Sequence, residues 1–161
     1  MQTEYPLILT CFTDFYNLAI TSVNFDDNGK KYNACRLSIN GKEVLFRQAK
    51  ITPKKIGAFV AFWKRSETGA TAPFSETDDF DFLVIACKRE SKLGAFIFSK
   101  ALLTQKNLIS GKSGAGKRGF RVYPCWDVAV NSQAKTTQAW QSKYFVELSK
   151  KNKTLIQTLF G

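Results

Sequence analysis

The chain of 161 residues contains no histidine, and this absence narrows the chemistry that it can perform. Without imidazole, catalytic triads of the Ser-His-Asp type and Cys-His nucleophilic pairs are excluded. Zinc sites with imidazole ligands are excluded as well. Any catalysis therefore has to rely on Asp, Glu, Lys, Tyr or Cys side chains, or on a metal ion held by carboxylates.

Cysteine is scarce, and its four copies are spread along the chain at Cys11, Cys35, Cys87 and Cys125. No Cys-x-x-Cys pair is present, so the spacing does not fit a zinc site built from cysteines. Each cysteine has apolar or strand-forming neighbours, which favours a small, buried and reduced thiol. Because disulfides belong to oxidising compartments, reduced thiols predict a cytoplasmic protein.

Long hydrophobic runs are also missing. The longest apolar stretch, residues 56–63, is far shorter than the about 20 residues that cross a bilayer, so we expect no contact with a membrane. Glu4 stands where a secretory signal would carry positive charge, and we expect no such signal. Apolar residues make up 44% of the chain, which is enough for a packed core. We expect a single domain over residues 1–161, since this length is typical of one domain.

Positive charge is what the chain has in excess. Lys and Arg number 24 against 13 Asp and Glu, which gives a formal net charge of +11. The surplus is concentrated in residues 112–161, which hold nine basic and two acidic side chains. Concentrated positive charge favours a polyanionic partner, with nucleic acid first. The alternative is a basic surface without a specific partner.

The periodicity of apolar residues predicts an α+β fold with a mixed sheet of about six strands, flanked by N- and C-terminal helices. Residues 1–31 are predicted to form a helix, over residues 5–20, and a turn. Helical spacing also predicts a helix over residues 133–148. Residues 150–161 are expected to be a frayed tail. Stretches in which apolar and polar residues alternate, and short apolar runs, predict further strands at residues 32–39, 56–64, 81–87, 94–98 and 120–123. A short helix is predicted at residues 99–109.

Asn40-Gly41 is a strong hairpin signal, and it fixes the register of the two strands that it joins. Counting back from a two-residue loop, Asn33 faces Gln48. Lys50 follows two residues later, and we expect it on the same face. Asn33, Gln48 and Lys50 are therefore predicted to converge at one end of the hairpin. The register also predicts three pairs nearer the turn: Ile39 with Lys42, Leu37 with Val44, and Cys35 with Phe46.

This convergence resembles the metal centre of restriction-type nucleases. Such enzymes carry Asp on one strand and (Asp/Glu)-x-Lys on the next, so that two carboxylates hold Mg²⁺ while the lysine stabilises charge on the phosphate. Here amides occupy both carboxylate positions, and neutral amides bind hard cations more weakly. We therefore expect a degenerate centre at Asn33, Gln48 and Lys50, with no catalytic residue, metal or cofactor.

An active nuclease that depends on Mg²⁺ or Mn²⁺ is the first alternative. It requires at least two carboxylates near Lys50, drawn from Asp26, Asp27, Asp79 or Asp81.

Residues 111–117 fit the pattern G-x-x-x-x-G-K of a phosphate-binding P-loop. Arg118 stands where a P-loop needs Ser or Thr, and a helix is predicted before the loop and a strand after it, the reverse of the P-loop order. We expect instead a basic loop that contacts phosphates. Aromatic side chains next to cations can also stack on bases. The candidate nucleic-acid-binding residues are Lys50, Lys54, Lys55, Trp63, Lys64, Arg65, Lys112, Lys117, Arg118, Arg121, Tyr123 and Trp126.

Several stretches of the chain resemble the MepB-like family, and together they cover roughly residues 32–146. The resemblance lies in residues 46–57 (FRQAKITPKKIG), 59–60, 63–65, 81–82, 94–100, 116–124 (GKRGFRVYP), 126–127, 133–138, 140–141 and 144–145.

The resemblance implies a restriction-endonuclease-like core, DNA rather than RNA as the partner, and no established catalytic activity. It also implies an association with a multidrug-efflux operon. We therefore expect a DNA-binding protein that contacts the phosphate backbone with low sequence specificity. A second alternative is an accessory drug-resistance protein that binds an anionic ligand or a protein partner.

Overall fold

The structure is a computed structural model that describes residues 18–148. Two short α-helices occur in this part of the chain, α1 (Lys100–Gln105) and α2 (Ser132–Gln141). Two 3-10 helices cover Asp27–Tyr32 and Ser142–Tyr144. The strands are β1 (Ile20–Phe25), β2 (Cys35–Ile39), β3 (Lys42–Gln48), β4 (Lys50–Ile51), β5 (Ala58–Ala61), β6 (Lys64–Arg65), β7 (Thr71–Ala72), β8 (Phe82–Arg89), β9 (Lys92–Ser99), β10 (Gly119–Val122) and β11 (Phe145–Glu147).

The turn between β2 and β3 has the geometry that its sequence predicts. Asn40 and Gly41 both have positive φ, at 50° and 80°, as the favoured two-residue hairpin turn requires. The observed pairs Ile39–Lys42, Leu37–Val44 and Cys35–Phe46 confirm the predicted register.

The main sheet has six strands in the order β1-β2-β3-β8-β9-β11. Strands β3 and β8 are parallel, while the other neighbours are antiparallel, so the predicted mixed sheet is confirmed. Its edge strands β1 and β11 were not predicted. The predicted strands at residues 56–64 and 120–123 lie instead in a second sheet, with order β10-β5-β4.

Both faces of the main sheet are buried, which explains the unbroken apolar run of β8, typical of a central strand. One face buries Phe46 and Ile97. The other buries Leu83 and Phe98, and the second sheet packs over it through residues such as Val60. The second sheet therefore has an inner face in the core and an outer face directed away from it.

The chain passes from the main sheet to the second sheet immediately after β3. The backbone N–H of Ala49 still donates to the carbonyl of Ala86 in the main sheet, at 2.9 Å. Lys50 already pairs with Phe59 of β5. The expectation that Lys50 lies on the same strand face as Gln48 assumed one continuous strand, and it is wrong because the two residues belong to different sheets.

The predicted flanking helices are only partly correct. The helix predicted over residues 133–148 ends at Gln141 and is followed by a 3-10 turn and strand β11. Residues 18–31 hold β1, which pairs with β2, and most of the first 3-10 helix. The rest of the predicted N-terminal helix, and the tail at residues 150–161, lie outside the described residues. No helix within residues 18–148 has the length and apolar character that a membrane crossing requires.

The cysteine predictions are confirmed for two of the described positions. Cys35 and Cys87 are buried thiols that form no disulfide, whereas Cys125 is exposed, contrary to expectation. Burial raises the pKa of the Cys87 thiol, which keeps it protonated and unreactive at neutral pH. Cys11 lies outside the described residues.

Candidate functional site

A basic cleft of about 600 Å³ opens between the second sheet, the end of α1 and helix α2. None of the described residues that line it is Asp or Glu. Its positive potential is therefore not balanced by carboxylates of its own lining. The cations that line it are Lys54, Lys55, Lys106, Lys117 and Arg121.

Arg121 organises one wall of the basic cleft. Its Nη2 donates to Thr52 Oγ1 at 2.6 Å, and its Nε donates to the carbonyl of Ile56 at 3.3 Å. These bonds hold both ends of a short segment that carries Lys54 and Lys55, both exposed. Arg121 therefore fixes the backbone that presents two further cations to the cleft.

Gly57 allows this segment to approach β10 closely. Its φ is 86°, a left-handed conformation that favours glycine. A Cβ at this position would lie 2.7 Å from Cδ1 of Tyr123 and 2.8 Å from the carbonyl oxygen of Val122. The ring of Tyr123, which lines the cleft, therefore packs directly against the Gly57 backbone.

Helix α2 forms the opposite wall and is anchored by two glutamines. Gln141 is 1% exposed; its Oε1 accepts the N–H of Tyr123 at 2.8 Å, and its Nε2 donates to the carbonyl of Arg121 at 3.1 Å. Gln138 Nε2 donates to the carbonyls of Pro124 and Asp127, at 3.0 and 2.8 Å. Side-chain amides thus fix the position of α2 relative to β10 and the loop after it.

Lys106 and Trp140 complete the cleft, and sequence reasoning did not single out either of them. Lys106 follows the last residue of α1, and its Nζ lies 5.0 Å from the centroid of the Trp140 ring, a cation–π distance. The Trp140 ring also packs on Phe98 of the core, with centroids 5.4 Å apart. The cleft therefore combines an aromatic surface with its cations.

The predicted cluster at Trp63, Lys64 and Arg65 lies outside the cleft lining. Lys64 Nζ forms an ion pair with Asp78, at 2.8 Å. The guanidinium of Arg65 lies 5.0 Å from the Trp63 ring centroid and donates to the carbonyl of Gly69 at 3.1 Å. These three side chains therefore contact one another or nearby residues outside the cleft.

The remaining candidates also lie outside the cleft lining. Arg118 donates to the side-chain and backbone oxygens of Thr71, at 3.2 and 3.1 Å, and Lys112 is exposed on the preceding loop. That loop follows α1 and precedes β10, which confirms that the context of a P-loop is missing. Trp126 is half-buried and packs against the core, with its ring centroid 5.3 Å from that of Phe145.

The predicted hairpin end brings Asn33 and Gln48 together. Asn33 Nδ2 donates to Gln48 Oε1 at 2.7 Å. Lys50 lies beside them on β4, with its Nζ 5.5 Å from the ring centroid of Tyr32. An amide–amide hydrogen bond therefore occupies the place where the nuclease comparison would put a pair of carboxylates.

Of the carboxylates that a nuclease would need, Asp79 and Asp81 lie at the other end of the hairpin from Gln48. Asp81 accepts the N–H of Glu43, at 2.8 Å, at the start of β3, which is the far end from Gln48. Asp79 is 97% exposed at that same far end. Asp26 accepts the N–H of Asn28 and caps a 3-10 helix. Within residues 18–148, no group of three or more His, Cys, Asp or Glu side chains is placed to hold a metal ion.

The comparisons with known proteins agree on one family. The family model for MepB-like proteins matches residues 26–147, which include the whole basic cleft. The chain is also similar to a solved structure described as "Crystal Structure of MepB", with 32% sequence identity and a TM-score of 0.81. That similarity covers 94% of this chain and 100% of the other. A comparison with curated proteins finds no match. The chain belongs to the MepB-like family.

Proposed function

We propose that this protein binds DNA through phosphate contacts in the basic cleft. One observation carries the proposal: five cations line a cleft of about 600 Å³, and none of its described lining residues is acidic. Positive charges gathered without carboxylates repel one another, and a polyanion relieves that repulsion when it binds. DNA adds the entropy of the counterions that it releases.

The anchoring of the cleft walls supports the same function. Arg121 and Gly57 hold the segment that carries Lys54 and Lys55, while Gln141 holds the opposite wall. Cations on a fixed backbone lose less conformational entropy when they contact a ligand, so they bind phosphate at lower cost.

The aromatic side chains of the cleft favour a nucleic acid over a simple anion. The rings of Tyr123 and Trp140 lie among the cations, where they can contact sugars or stack on bases. Base readout in a duplex usually requires a helix or ribbon in the major groove. Neither α1, with six residues, nor α2, with ten, carries an evident set of base-reading side chains. We therefore propose low sequence specificity.

The proposal also treats the main sheet as a restriction-endonuclease-like core without catalysis. The hydrogen bond between Asn33 and Gln48 supports it, because amides replace both carboxylates and satisfy each other. Neutral amides would hold Mg²⁺ more weakly than carboxylates.

Fluorescence anisotropy with a labelled DNA duplex tests the proposal. The cleft variant, Lys54→Ala/Lys55→Ala/Lys117→Ala, removes three lining cations. The control variant, Lys42→Ala/Lys92→Ala/Lys143→Ala, removes three exposed lysines that do not line the cleft. Both variants lose the same net charge, so only the position of the charge differs.

We expect the cleft variant to bind at least about tenfold more weakly than the control variant, since each lost phosphate contact removes favourable counterion release. Thermal unfolding of both variants checks that the fold is retained. Equal affinities of the two variants would remove the cleft from any role in DNA binding.

A further inference from the structure

A second basic groove lies close to the cleft. It has a volume of about 460 Å³ and lies where β3, β4 and β8 end. Three cations and one carboxylate line it: Lys50, Lys88, Arg89 and Glu90. The groove is therefore also positive, although less uniformly than the cleft.

The pairing in the second sheet connects the groove to the cleft. Lys50 is paired with Phe59, and Phe59 is paired with Arg121 on its other side. Directly paired residues of antiparallel strands point to the same face of the sheet. Lys50 and Arg121 therefore share the outer face, and their Cα atoms lie about 10 Å apart, because neighbouring strands are about 4.8 Å apart.

The chain itself forms the boundary between the two concavities. Lys50 and Ile51 line the groove, and Lys54 and Lys55 line the cleft. Thr52 lies between these pairs and accepts a hydrogen bond from Arg121. The segment is thus one continuous ridge with cations on both sides.

An ion pair connects the end of β8, which lines the groove, to the loop before α2, the helix that forms one wall of the cleft. Arg89 Nη1 lies 3.0 Å from Asp127 Oδ1, and the Asp127 side chain is only 7% exposed. Asp127 belongs to the loop between β10 and α2, and its backbone carbonyl accepts from Gln138 of α2. Both walls of the cleft are therefore fixed relative to the groove.

We propose that the cleft and the groove form one binding track, which selects a polynucleotide long enough to contact both. The inference rests on the proposed function of the cleft and extends it to the class of ligand. A mononucleotide fills the cleft alone. A longer strand crosses the ridge at Thr52 and reaches Lys50 and Lys88.

Competition binding with thymidine monophosphate and with an oligothymidylate of about 12 nucleotides tests the track, since a single nucleotide cannot span the distance between Lys50 and Arg121, whereas the longer strand lies within common single-strand site sizes. The groove variant is Lys50→Ala/Lys88→Ala, and Lys50→Ala alone is measured in parallel in case the double variant unfolds. The matched control is Lys42→Ala/Lys143→Ala, which removes two exposed lysines outside both concavities.

We expect the groove variant to lose at least about fivefold in affinity for the 12-nucleotide strand, with no change for the mononucleotide, because only the strand reaches the groove. The cleft variant should weaken both. The track is wrong if the groove variant binds both ligands as the wild type does, or if it loses the same factor in affinity for both. In either case, weaker binding by the cleft variant still supports the proposed function. If the cleft variant also changes neither affinity, the proposed function fails and the track with it.

Discussion

Gln141 completes the backbone hydrogen bonding of Tyr123, with its Oε1 accepting the Tyr123 N–H at 2.8 Å from a position that is 1% exposed. The same side chain donates to the carbonyl of Arg121 at 3.1 Å. Helix α2 also contacts the core through buried Ala134 and half-buried Trp140, whose ring packs on Phe98. The wall that α2 gives to the cleft is therefore held by amide contacts as well as by this apolar packing.

Gln141→Leu is expected to lower the free energy of unfolding by about 1–3 kcal/mol, because it leaves a partly buried N–H and a partly buried carbonyl without this partner. Urea denaturation measures this loss. Gln133→Ala, on the exposed part of the same helix, is the control and should change stability by less than about 0.5 kcal/mol. If Gln141→Leu is as stable as the wild type, α2 is held by other contacts.

Arg47 is a buried cation in the core between the two sheets, outside the cleft lining. It is 2% exposed, its Nη1 donates to the carbonyl of Phe46 at 2.8 Å, and its guanidinium lies 5.4 Å from the Phe62 ring centroid. Among the described residues, no Asp or Glu forms an ion pair with it. Burial lowers the pKa of Arg47 to about 10.

The lowered pKa of Arg47 determines whether its charge raises or lowers the free energy of unfolding. The unfolded chain binds this proton more tightly than the folded chain, so the charge destabilises the fold below pH 10, and stability rises as the pH passes upward through the folded pKa. The cost corresponds to roughly 3 kcal/mol, net of the favourable interaction of the charge with Asp26.

Arg47→Met is therefore expected to be at least as stable as the wild type at pH 7, since it removes the buried charge and keeps most of the volume. Its advantage should stay constant from neutral pH to about pH 9 and shrink above about pH 10. Arg47→Ala should be less stable than either, because it leaves a cavity. Urea denaturation across this pH range measures the effect, and a methionine variant that is clearly less stable than the wild type would contradict this account.

The hairpin could be predicted from the sequence because its geometry is local. Asn40-Gly41 sets the turn, and the two-residue period of a strand carries the register as far as Asn33 and Gln48. Lys50 could not be placed in the same way. Its position depends on pairing with Phe59 in a second sheet, and no local pattern shows where a chain changes sheets.

The cations of the cleft could be predicted from the sequence only where several of them, or a glycine-rich loop, lie close together in the chain. Lys54 and Lys55 are adjacent, and Lys117 follows a glycine-rich loop, so local composition singles them out. Lys106 and Trp140 stand at helix ends far apart in the chain, and only the tertiary fold brings them together. The ion pair between Lys64 and Asp78 could not be predicted for the same reason, because it depends on how a distant loop folds.

The salt dependence of DNA binding tests the central claim most directly. Plotted as log Kobs against log salt concentration, the cleft variant Lys54→Ala/Lys55→Ala/Lys117→Ala should give a slope shallower than the wild type by about 0.9 per lost phosphate contact, up to about 2.7 in all. The control variant Lys42→Ala/Lys92→Ala/Lys143→Ala should keep the wild-type slope. If the cleft variant also keeps the wild-type slope, phosphates do not bind in this cleft and the account is contradicted.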